Sequence, residues 1–557
     1  MNRFVKIAGY ITGGIVALMV LLVACFYFYV KIEEPQPDFA NYLEQEREEI
    51  DTDFYKIGDN WLKKSDTGLW ELYVKGGGFE RGVMEGKLQK ELAAQQEEAF
   101  VNQIYKMIPS QFLLRQMKYF IAYFNKDLDH HITQEYQEEI YGESLFASDE
   151  YDYIAPKYHR MLNYHAAHDI GHALQGKNFK VGCTSFAAWG DRTADSTLLI
   201  GRNFDFFVGD EFAKNKVINF VNPDEGYKLM MVSWAGMIGA VSGMNEKGLT
   251  VTLNASESEI PTTAATPISL VAREILQYAK NIEEAYVIAK KRKVFVSESL
   301  LIGSSEDGKT AIIEVSPTKT DLFEGTQNDY QICSNHFQGE VFKNDEINLN
   351  NLKQSSSAYR FELMTELVNE KPKLTVKDAV DILRNQNGLH GKNVGMGNEM
   401  AINQLIAHHG IVFKPEKLQV WVSTNPYQLG EFVCYDLNKI FALADTLKTK
   451  VELYERPLNI AEDPFLKSKD YQNFITFKKL KAKVQSGTDI SEEEIRTLEA
   501  SNPEYFDTYI LIADYLNKRG EGERALAYYN KALTKEIATG YEKEKVLAAI
   551  KEIKEEE

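Results

Sequence analysis

Cysteine is scarce in this chain, and basic residues are fewer than acidic ones. Four cysteines in 557 residues, one of them inside an apolar N-terminal run, leave no disulfide framework. Cys333 and Cys434 read as buried strand thiols, since a free cysteine behaves as a small hydrophobe. Lysine and arginine total 63 against 82 aspartates and glutamates, a net charge of −19. That balance excludes a nucleic-acid binder, whose phosphate contacts need a basic face. No long run of like charge marks an acidic tail either. Apolar and charged contents of 44% and 26% are ordinary for a folded protein. The length allows about two to four domains, or one large domain with appendages.

What is present begins at the N-terminus. Residues 7–30 are apolar without a single charge, longer than the ~20 residues a membrane span needs. Arg3 and Lys6 precede the run, and Glu33, Glu34 and Asp38 follow Lys31. The positive-inside rule then leaves the N-terminus in the cytoplasm and the body outside, periplasmic or at the cell surface. The expectation is an uncleaved signal anchor. The alternative is a lipobox, Leu22-Val23-Ala24-Cys25, with Cys25 lipidated; against it, Phe26-Tyr27-Phe28-Tyr29-Val30 stays apolar where a mature lipoprotein turns polar.

Residues 31–182 read as a proline-bearing linker followed by a mainly helical segment. Within it, Leu72-Tyr73-Val74 is a strand, and Gly76-Gly77-Gly78 with Gly82 and Gly86 a glycine turn and helix start. Residues 183–455 change to short strands around Leu198-Leu199-Ile200, Leu229-Met230-Met231 and Leu249–Leu253, then helices, then late strands at 410–413 and 418–422. That order suggests two stacked sheets with helices outside. Residues 463–557 are helical and charged, with a capping box at Ser491-x-x-Glu494. Spacing across 502–535 resembles one tetratricopeptide repeat. No second copy is in view, and a helical hairpin docked on the preceding region is the competing reading.

The chemistry centres on Val181-Gly182-Cys183-Thr184-Ser185. A cysteine preceded by glycine and followed by small hydroxyl residues is a candidate self-cleavage site. Cutting Gly182–Cys183 gives Cys183 a free α-amine, a base on the same residue as its thiol. Strand-end and turn positions downstream supply Arg202, Asp205, Asn254, Asn335 and Arg360, and such segment ends often carry function.

The ordered set Phe79-Glu80-Arg81-Gly82-x-x-x-Gly86, Gly182-Cys183-Thr184, Gly201-Arg202-Asn203-Phe204-Asp205, Leu253-Asn254, Ser334-Asn335-His336-Phe337 and Tyr359-Arg360 resembles the choloylglycine hydrolase and penicillin acyltransferase branch of the N-terminal-nucleophile hydrolases. The long segment before Cys183 looks more like the acyltransferase-type precursors. The resemblance implies an α+β fold, a four-layer αββα sandwich carrying an N-terminal anchor and a C-terminal helical, repeat-like extension. It implies Cys183 as the nucleophile that forms a thioester, its α-amine taking the thiol proton. Asp205 is expected to hold that amine and Arg202 to lie beside the thiolate. Asn254 is expected to donate to the oxyanion, with Asn335 and Arg360 completing the polar network. The competing readings are an ion pair after a strand for Arg202 and Asp205, a turn residue for Asn335, and a surface charge for Arg360.

His165, His168-Asp169 and His172 resemble a zinc-binding helix, but Asp stands where the metalloprotease motif has Glu. Interface or core histidines packed near the junction are the expectation, with no metal and no cofactor. His408-His409 precede a strand without motif support. The implied activity is hydrolysis of a linear amide in a small N-acyl conjugate, or acyl transfer to an amine. A non-catalytic surface scaffold is the reading from another class. Expected partners are that small molecule, the membrane through the anchor, and a protein partner or second copy through the C-terminal helices.

Overall fold

The computed structural model describes residues 2–37, 41–108, 110–166, 169, 182–259 and 264–556. The chain opens with the helix Asn2–Tyr29. Its Ile7–Tyr29 portion has a mean hydropathy of 2.4 and holds no buried residue, touching the body near its end through ring contacts of Phe26 with Tyr119 and Tyr29 with Tyr123. It is the one helix among the described residues long and apolar enough to cross a membrane.

Four strands come before Cys183: β1 Glu48–Asp51, β2 Phe54–Ile57, β3 Asn60–Lys64 and β4 Trp70–Gly76. After it come β5 Thr184–Ala188, β6 Leu199–Phe204, β7 Val217–Pro223, β8 Leu229–Ser233, β9 Ser242–Asn245 and β10 Leu249–Ala255. They continue as β11 Glu298–Ser304, β12 Lys309–Val315, β13 Thr320–Phe323, β14 Tyr330–Cys333, β15 His409–Lys414, β16 Gln419–Ser423 and β17 Phe432–Asp436. An eleven-stranded sheet has the order β1-β2-β3-β4-β7-β8-β9-β10-β11-β12-β13, and a six-stranded sheet the order β14-β5-β6-β15-β16-β17. The segment before Cys183 is therefore more than a helical lead-in. It lays four strands into the larger sheet, joined by parallel pairing of β4 with β7 from Trp70↔Val217 to Gly76↔Pro223.

Alternation along the strands sorts side chains between two cores. Tyr73, Met230 and Leu301 turn to a core that also holds Ile200, Ile411, Phe413 and Val422 of the smaller sheet. Their neighbours Leu72, Met231 and Ile302 turn the other way, into a core shared with the helices Gly78–Leu88, Gln134–Ser144 and Ile268–Tyr278. The far side of the smaller sheet presents Phe186, Leu199, Val412 and Trp421 to the helices Ser357–Asn369 and Val376–Leu383. Helices from Lys469 to Glu556 build their own core but share it with Met400, Leu405 and Leu429, so they are docked on the body.

Gly82 and Gly86 lie inside the helix Gly78–Leu88 rather than in a turn. A Cβ on Gly82 would sit 1.9 Å from the Glu139 carbonyl oxygen, and one on Gly142 2.7 Å from that of Phe79. Glycine on both helices lets their backbones touch. At that crossing Arg81 is fully buried, donating to Gly76 O at 2.6 Å, to Glu135 at 2.8 Å and to Glu139.

Candidate active site

Residues Gly182 and Cys183 enter β5, whose neighbours in the smaller sheet are β14 and β6. Antiparallel pairing sets Ser185 opposite Arg202 on β6 and opposite Cys333 on β14. Asp205 therefore follows the end of β6, and Asn335 the end of β14, both beside the junction. Asn254 is near the end of β10 in the other sheet, and Arg360 is in the first turn of the helix Ser357–Asn369. All six sequence-predicted residues are buried.

Hydrogen bonds join them. Arg360 reads as a surface charge in sequence, yet it is 1% exposed and sits at the centre. Its Nη1 donates to Gly182 O at 2.9 Å, Cys183 O at 3.0 Å and Thr184 Oγ1 at 2.5 Å, while Nη2 donates to Asn335 Oδ1 at 2.8 Å. Asn335 Nδ2 in turn donates to Ala255 O at 2.8 Å. Arg202 Nη2 lies 3.8 Å from Cys183 Sγ, and its Nη1 donates to Ser242 Oγ at 2.5 Å. Ser242 also contacts His409 Nε2 at 2.9 Å, so a residue without a motif helps hold Arg202. Asn254 Oδ1 accepts from Ser185 Oγ at 2.8 Å, and its Nδ2 donates to Cys333 O at 3.2 Å. Asn254 is thus in the network through Ser185 and Cys333, not on the Gly182 carbonyl.

Burial dominates the titration of the centre. It pushes the Cys183 thiol up to about 11 despite the opposing pull of Arg202. It also lifts the Asp205 carboxyl to about 7, with Arg360 and Arg202 acting the other way. Neither Asp205 oxygen has a hydrogen-bond partner among the described residues, so this carboxyl is not in a simple ion pair with Arg202. Glu298 on β11 adds a second buried acid, raised by desolvation and by Asp169 and lowered by Arg202.

Gln404 carries no motif, yet its Nε2 donates to Gly182 O at 2.9 Å. His165 accepts the Ile238 amide at Nε2, 3.1 Å, which places its proton on Nδ1 facing Met161 O at 2.8 Å. Both ring nitrogens are thus engaged with backbone, one within its own helix and one on the loop that holds Ile238. Asp169 accepts from the Ile268 amide at 2.8 Å. Val181, His168 and His172 lie outside the described residues.

Residues 192–425 match the family model described as acyl-coenzyme A:6-aminopenicillanic acid acyl-transferase. Over these residues, less than half of its length, the chain is similar to the penicillin acyltransferase family. The match takes in Arg202, Asp205, Asn254, Asn335 and Arg360 and begins after Cys183. Among curated relatives, an uncharacterized protein of Archaeoglobus fulgidus is 28% identical over 144 residues, 25% of this chain and 24% of that protein. Protein dcd1B of Dictyostelium discoideum is 24% identical over 285 residues, 48% of this chain and 54% of that protein. The chain thus spans between a quarter and about half the length of these relatives. Among solved structures, a Caenorhabditis elegans N-acylethanolamine-hydrolyzing acid amidase ortholog is 15% identical with a TM-score of 0.30, covering 42% of this chain and 93% of its own. A variant of conjugated bile acid hydrolase from Clostridium perfringens is 16% identical with a TM-score of 0.33, covering 46% and 93%. Likeness at these scores carries no argument about activity or substrate.

Proposed function

We propose that this chain is a membrane-tethered N-terminal cysteine amidohydrolase that matures by cutting itself between Gly182 and Cys183. The mature enzyme then cleaves linear amides of N-acyl conjugates through a Cys183 thioester. The observation that carries the reading is one buried cluster holding the Gly182 carbonyl, the Cys183 thiol, Arg202 and an unpartnered Asp205 carboxyl together. A buried carboxyl without a partner is costly, and a new α-amine on Cys183 supplies one. Arg202 stabilises the thiolate as the proton moves to that amine. Asn254, with a second amide hydrogen beyond its bond to Cys333 O, serves the oxyanion of the substrate. Asn335 and Arg360 fix the floor of the site.

The two sheets and their flanking helices are read as the four-layer αββα sandwich of this enzyme class. The N-terminal helix is read as an anchor with the body outside the cytoplasm, and the C-terminal helices as a single repeat-like extension. Because the matched family is described as an acyl-transferase, an amine replacing water at the thioester is the second reading.

Intact-mass analysis tests the proposal. The wild-type chain should give fragments of about 20 and about 40 kDa by proportion of residues, the larger beginning at Cys183. A thiol-directed electrophile should label Cys183 in it and stop turnover of N-acyl conjugates. A Cys183→Ala chain that fragments at the same bond sinks the reading.

A further inference from the structure

We infer that Gln404, together with Arg360, forms an oxyanion hole for the self-cleavage step, separate from the one that serves substrate. This rests on the self-cleavage reading above. The Gly182 carbonyl oxygen receives Gln404 Nε2 and Arg360 Nη1, each at 2.9 Å. Those are the distances at which preorganised donors stabilise a developing oxyanion. Thr184 Oγ1 is a third and longer donor at 3.4 Å; of the two close ones, one is neutral and one charged, and both are side chains. Asn254 makes no hydrogen bond to this carbonyl, its Nδ2 donating to Cys333 O and its Oδ1 accepting from Ser185 Oγ.

Gln404 is held there at visible cost. It is 1% exposed, and its Oε1 has no partner among the described residues. The loop around it is pinned. Asn403 N donates to Asn385 O at 2.8 Å, and Leu405 N donates to Asn403 Oδ1 at 3.0 Å. Leu405 adopts a φ of 54°, the left-handed region that a leucine disfavours. Strain next to a site is retained where geometry matters more than local comfort. The fit also explains the glycine, because a Cβ on residue 182 would lie 2.1 Å from Gln404 Nε2.

The step balances within the chain. The Cys183 thiol gives its proton to the Asp205 carboxylate, and a C–S bond forms at the Gly182 carbonyl carbon. The oxygen takes the negative charge against Gln404 and Arg360. The C–N bond then breaks as the proton passes from Asp205 to the departing nitrogen, leaving a thioester and a free α-amine. Water hydrolyses the thioester, releasing the Gly182 carboxyl group and restoring the thiol.

The test is a time course of cleavage in freshly synthesised full-length chain, followed by denaturing gel and intact mass. Gln404→Ala should slow cutting by about 100-fold, the loss typical for one oxyanion donor. Gln404→Glu is the isosteric companion. Its carboxylate cannot donate, but its protonated form can, so its cleavage should speed up relative to wild type as pH falls. A purely packing role predicts a profile parallel to wild type. If wild type cuts and Gln404→Ala cuts within twofold of it, or Gln404→Glu runs parallel to wild type, the assignment of Gln404 is overturned while self-cleavage stands. If wild type itself stays whole, the self-cleavage reading fails first.

Discussion

Asp205 sits in a field of two guanidinium groups, yet desolvation wins and its carboxyl titrates near 7 instead of near ~3.9 as in an open chain. The native state therefore keeps a proton that the unfolded state releases. The stability tied to this group is fully present below about pH 4 and is lost as pH rises through about 7. Asp205→Asn removes that slope. In an uncut Cys183→Ala background its advantage over the parent chain should grow by about 3 kcal/mol between pH 5 and pH 8, read from urea unfolding at the two pH values. The same substitution in the chain that keeps Cys183 should leave it uncut, since Asn cannot take the Cys183 proton. An advantage that fails to grow would mean that the guanidinium field outweighs burial.

The crossing of Gly78–Leu88 with Gln134–Ser144 shows what a motif can and cannot tell. The contact of Gly82 with the Glu139 carbonyl leaves no room for a methyl group. Gly82→Ala should therefore cost about 3 kcal/mol through overpacking, measured as a lowered denaturant midpoint. The glycines were visible in sequence, but their spacing suits a turn as well as a tight helix pair. Strands β4, β6, β8, β10, β15 and β16 are legible because their apolar runs end at recognisable turns. β1 to β3 are not, being short and rich in charge. The pairing of β4 with β7 was illegible for another reason: it joins residues far apart in the chain, and no local pattern encodes it. Six polar residues of the centre could be picked out because they sit in recognisable motifs. Gln404 and Ser242 could not, since a lone glutamine or serine acquires its role only when the sheets bring it to a carbonyl or a guanidinium.

At the scale of the whole molecule, the proposed cut divides the chain but not the fold. The larger sheet takes four of its strands from the piece before Cys183. The helices flanking it from that piece share a core with Ile268–Tyr278. The two fragments should therefore elute together in size-exclusion chromatography without denaturant and separate only in its presence. Elution as two separate peaks in native buffer would count against this.

The seam between β4 and β7 has one more consequence. Pulling the two proposed fragments apart would mean tearing the sheet along that parallel register and stripping the cover from Val217, Val221 and Met231. The freed piece would carry a raw, unpaired strand edge beside a wide apolar face, the combination that seeds aggregation. On the proposed cut, the larger piece stays soluble only while the N-terminal third of the chain stays docked on it.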